Sequence, residues 1–99
     1  MDLKDFDIDT ARKLVGATFH IDLPSPPPLE LRVVKVGEMS DEHARVNRTP
    51  FRVELVGNRY VPQAIYPFHH EAFGTDPLEL FIVATGKTAT GYEYEMIFA

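Results

Sequence analysis

The residues best suited to chemistry sit in "YPFHHEAFGTDPLEL" (residues 66–80), where His69 and His70 adjoin Glu71 and Asp76 follows. Imidazoles and carboxylates together can hold a metal ion or move protons. The spacing argues against a metal. Neighbours in an extended chain point to opposite faces, so His69 and His70 do not both reach one ion from a regular strand. A helical two-histidine zinc site uses a spacing of four. Zinc also asks for three or four ligands, and the remaining histidines, His20 and His43, are far away in sequence. The plainer reading places Phe68 and His70 on one strand face and His69 in solvent. Glu71 and Asp76 then fall in the following turn, where "GTDP" is ordinary turn chemistry.

Other chemical candidates dissolve in the same way. Glu93 and Glu95 share one face of "GYEYEMIFA". Paired carboxylates can act as acid and base, but their alternation with Tyr92, Tyr94 and Met96 describes a solvent face opposite a core face. Ser25 and Ser40 lie in no nucleophile-elbow context. The glycines form no phosphate-cradling loop. Arg45, Arg48, Arg52 and Arg59, with Phe51 and Tyr60 interleaved, are either a phosphate or acidic-partner patch or a solvated face. The abundance of Asp and Glu favours the solvated face. Asn47-Arg48-Thr49 matches a glycosylation acceptor, but Pro50 follows and no secretory leader precedes it. The expectation is no catalytic residue, no bound metal and no cofactor.

With 99 residues the chain fits one domain, residues 1–99. A net charge of −5 argues against nucleic acid or an anionic membrane as partner, since both call for a cationic surface. Cysteine is absent, which removes disulfides and thiolate chemistry. The start "MDLKDFDIDT" is acidic and carries no apolar leader segment. No apolar run has the length of a membrane-spanning helix. A cytoplasmic protein is expected.

Period-two alternation supplies the scaffold. "ATFHIDL" puts Phe19, Ile21 and Leu23 on one face. "LELRVVKVG" starts in the same manner with Leu29, Leu31 and Val33, then changes phase so that Val34 and Val36 take up the alternation. A β-bulge at Val33–Val34 would produce that slip. "PFRVELVG" turns Phe51, Val53 and Leu55 inward, and Gly57-Asn58 suits the positive-φ positions of a tight hairpin. "IYPFH" continues in extended form, and Pro62 and Pro67 place it at a sheet edge. "LELFIVATG" and "GYEYEMIFA" form the last two strands around a loop from Gly86 to Gly91. Their register is ambiguous. An even loop brings Phe81 and Val83 beside Tyr94 and Met96, an odd one Leu80 and Ile82, because a one-residue slip reverses every side chain. Only "ARKLV" reads as helical, capped by Asp9 or Thr10 and ended by Gly16, a lid or plug on a β core. "LPSPPPLEL" is either a polyproline ligand or a stiff connection between strands, and the absence of a basic flank favours the connection.

The predicted fold is therefore mainly β: one small antiparallel barrel or sandwich of about six strands with a short N-terminal helix. The expected core is Phe19, Ile21, Leu31, Phe51, Val53, Leu55, Tyr66, Phe68, Leu80, Ile82, Tyr94, Met96 and Phe98.

The segments "LVGATF" (14–19), "PFRVELVG" (50–57), "VPQAIYPFHHEAFG" (61–74), "LELFIVATG" (78–86) and "GYEYEMIF" (91–98) run nearly end to end. In them the chain resembles a family of small bacterial proteins built on a domain of unknown function. That family has a Pro-Gln-Gly step before the tyrosine, where this chain has Pro62-Gln63-Ala64, then Ile65 and Tyr66. Gln63, Tyr66, His70, Tyr94 and Glu95 match polar or aromatic family positions. The resemblance carries no catalytic role. It implies an accessory part in a larger, phage-derived, tail-like assembly.

Two functions follow as expectations. The first is a non-catalytic structural or protein-interaction module. Its partner is another protein, met at the strand edge near Tyr60 to Gln63 or at the acidic face of Glu79, Glu93 and Glu95. The alternative is a small-molecule-binding or enzymatic barrel with a pocket near residues 62–73, built on Gln63, Tyr66 and His70.

Overall fold

The computed structural model describes residues 1–39 and 49–98. Among them, helix α1 (Ile8–Lys13) precedes strands β1 (Thr18–Ile21), β2 (Leu29–Glu38), β3 (Phe51–Gly57), β4 (Ala64–Phe68), β5 (Leu78–Thr88) and β6 (Gly91–Phe98). All pairings are antiparallel, in the order β1-β2-β3-β6-β5-β4. The two end strands then meet. The His20 N–H donates to the His69 carbonyl at 3.1 Å, and the His69 N–H to the His20 carbonyl at 2.9 Å. The architecture is a nearly closed barrel.

Proline chemistry explains why that seam holds so short a ladder. Continuing the register from His20↔His69 sets Asp22 opposite Pro67 at the next hydrogen-bonding position, and proline has no N–H to give. The prolines thus put β4 at the sheet edge, as their positions predict.

Two bulges set which side chains face inward. The β2–β3 register shifts between Val33 and Lys35, so Val34 is the extra residue. Val33 is buried before the bulge and Val36 packs on the core after it, the phase slip expected from "RVVKV", but Val34, expected inward with Val36, is the unpaired residue and lies exposed. A second shift lies between Ala84 and Gly86 on β5. The β5–β6 connection holds only Ala89 and Thr90, shorter than the loop expected from Gly86 to Gly91. That even-numbered turn alone would set Val83 beside Met96. The Thr85 bulge reverses the outcome, pairing Ala84 with Tyr94 and leaving Leu80 and Ile82 buried.

Buried side chains fill the interior. Phe19, Ile21, Leu29, Leu31, Phe51, Phe68 and Ile82 show 0% exposure. Of the expected core, Tyr66 and Phe98 are only half-buried. The N-terminal segment contributes more than expected: Phe6, Ile8, Ala11 and Leu14 are buried with Val61, Phe73 and Leu78. Phe6 meets Phe51, Phe73 and Phe98 edge-on, with ring centroids 6.2, 6.0 and 5.2 Å away. It closes the end of the barrel. The helix cap differs from expectation, since the Asp7 carboxylate accepts from the Thr10 N–H at 2.9 Å. Gly16 does end the turn after the helix, at φ 90°.

Gly57-Asn58 makes no hairpin, because β3 pairs with β2 and β6 and not with β4. Gly57 is required for space. A Cβ there would lie 2.8 Å from Leu31 Cδ2 and 2.9 Å from Tyr94 Cε2. Asn58 and Arg59 instead fasten the proline loop. Asn58 Oδ1 accepts from the Glu30 N–H at 2.9 Å. The Arg59 guanidinium donates to the Ser25 carbonyl at 2.9 Å and to the Pro27 carbonyl. "LPSPPPLEL" is thus held as a connection, as its missing basic flank suggests.

Candidate functional site

The histidine segment resolves into structural roles. His69 is half-buried, not free in solvent as expected. Its ring stacks on that of His20, with centroids 4.9 Å apart and planes at 17°. Its Nε2 lies 3.9 Å from Asp22 Oδ2. This pairing depends on barrel closure, which is why reading β1 and β4 separately does not reveal it. His70 does follow Phe68 on the inner side, edge-on to Phe19 at 5.5 Å. Its Nδ1 accepts from the Ala72 N–H at 3.0 Å and caps the short 3-10 turn Glu71–Phe73. Among the described residues, no group of three His, Asp or Glu side chains is placed to hold a metal ion.

Gln63 and His70 flank β4 on opposite ends, roughly 20 Å apart at about 3.3 Å per residue. Tyr66 lies between them, its hydroxyl donating to the Pro62 carbonyl at 2.7 Å. Burial raises its pKa, with Tyr60 adding to the shift. The three residues expected to line a pocket are strung along one strand and do not converge.

Tyr94 has the stronger constraint. It is 1% exposed. Its hydroxyl donates to the Arg59 carbonyl at 2.6 Å and accepts from the Val61 N–H at 2.8 Å. Burial raises its pKa despite the Val61 hydrogen bond, which acts the other way. One side chain on β6 therefore fixes the path of the chain from β3 to β4.

The outer face of β3, β6 and β5 gathers carboxylates. Glu54 stands directly opposite Glu95, and Glu93 opposite Val56. Like charges in directly opposed positions disfavour a sheet. Lys35, opposite Glu54 from the β2 side, offsets part of that cost. Glu54, Glu93 and Glu95 border a shallow depression of about 320 Å³ with Lys35, Val56 and Thr85. Of the expected acidic face, Glu93 and Glu95 belong to this group. Glu79 lies on the same outer face of β5, four residues before Val83, the residue opposite Glu95. Sequence reasoning passed over Glu54, although its outward position on β3 was legible. Its apposition to Glu95 needs the β3–β6 pairing, and those strands are distant in sequence.

Three large apolar side chains on the outer side of β4, β5 and β6 are exposed. Ile65 is 64% exposed, Ile97 55% and Phe81 50%. Ile65 and Phe81 are direct cross-strand partners. The β5–β6 ladder ends at Val83↔Glu95, and Phe81 and Ile97 come next on the outer side of their strands. Arg52, exposed on β3, lies opposite Ile97. Strand alternation leaves the face of Phe81 open and does not mark these positions as one surface.

Ser40, His43, Arg45, Arg48 and Asn47 of the acceptor pattern lie outside the described residues. No helix among the described residues is long and apolar enough to cross a membrane.

The profile of a family described as a domain of unknown function, DUF6916, matches residues 6–98, and the chain belongs to that family. No curated protein and no solved structure matches it.

Proposed function

We propose that the chain is a non-catalytic protein-interaction module, an accessory subunit of a larger assembly, and that it works in the cytoplasm. The observation carrying this reading is the exposure of Ile65, Phe81 and Ile97 on the barrel's outer face, between 50% and 64%, with Ile65 and Phe81 directly paired. Contiguous exposed apolar side chains rimmed by charge are a common mark of protein–protein contact. The interior supports the same reading, since side chains such as Phe19, Leu31, Leu55, Phe68 and Ile82 fill the space a small molecule would occupy in a ligand-binding barrel. The partner is a protein chain, and the carboxylates Glu79, Glu93 and Glu95 form part of the rim.

Capture from native lysate tests the proposal. Rim charges act mainly on association rate and its salt dependence. Reversing Glu79→Lys together with Glu93→Lys should weaken recovery of the partner and leave the melting temperature nearly unchanged. A metabolite carried through purification and lost in Gln63→Ala would favour the pocket instead.

A further inference from the structure

We draw no further inference here: the strongest candidate, the exposed surface patch of the paired Ile65 and Phe81 on the outer side of β4 and β5, is an apolar face, and nothing in the structure shows what covers it.

Discussion

The Tyr94 hydroxyl holds the Val61 amide at 2.8 Å inside the barrel, more than thirty positions back along the chain. The same oxygen donates to the Arg59 carbonyl at 2.6 Å. The passage from β3 to β4 is therefore tied to the centre of β6. Replacing Tyr94 by Phe keeps the ring but leaves a buried N–H without its acceptor. The expected loss is about 1–3 kcal/mol, read from urea unfolding.

Tyr94 also sets an alkaline limit. Burial raises its pKa in the folded state, and that of Tyr66 likewise. The folded protein then holds these protons more tightly than the unfolded chain does. That contribution is complete below the ordinary tyrosine range and is lost as pH rises past about 10. Stability should fall over that window, and Tyr94→Phe should flatten the fall. An equally steep decline in the variant would assign it to other groups.

Two glycines test how closely the strands approach. A Cβ on Gly91 would meet the Gly57 carbonyl oxygen at 2.5 Å, a backbone atom with little room to move. Gly91→Ala should therefore cost about 1–3 kcal/mol, the range for overpacking. Gly37→Ala is the control, because nothing lies within 4 Å of its added Cβ. Chemical denaturation of the pair measures the difference.

Those contacts mark what a sequence can and cannot disclose. Alternation along "ATFHIDL", "PFRVELVG" and "GYEYEMIFA" was enough to find the strands, because a half-buried strand shows its two faces locally. The bulge after Val33 was legible for the same reason. The Thr85 bulge was not, since Leu80 to Ala84 are apolar on both faces and no local pattern distinguishes the register. Gly57 has the look of a turn residue in sequence, whereas its neighbours Leu31 and Tyr94, from two other strands, are the reason for it. The His20–His69 stack and the Glu54–Glu95 apposition also depend on strand order. Phe6 was missed because its segment lacks periodicity, although it completes an aromatic cluster with Phe51, Phe73 and Phe98.

Phe6 itself is testable. It is 1% exposed and closes one end of the barrel. Phe6→Ala should cost about 3–5 kcal/mol, as large aromatic truncations in cores do, and calorimetry should show a large drop in melting temperature. A small change would mean that the N-terminal segment rests on a core complete without it.

The claim that matters most is that the barrel works through its outer face. Placing a photo-reactive phenylalanine analogue at position 81 in living cells, with a second at the exposed Thr18 of β1 as control, tests it most directly. Protein adducts are expected from position 81, reduced by Ile97→Ser, and few from position 18. Equal labelling at the two positions, or no protein adduct at position 81, would contradict it.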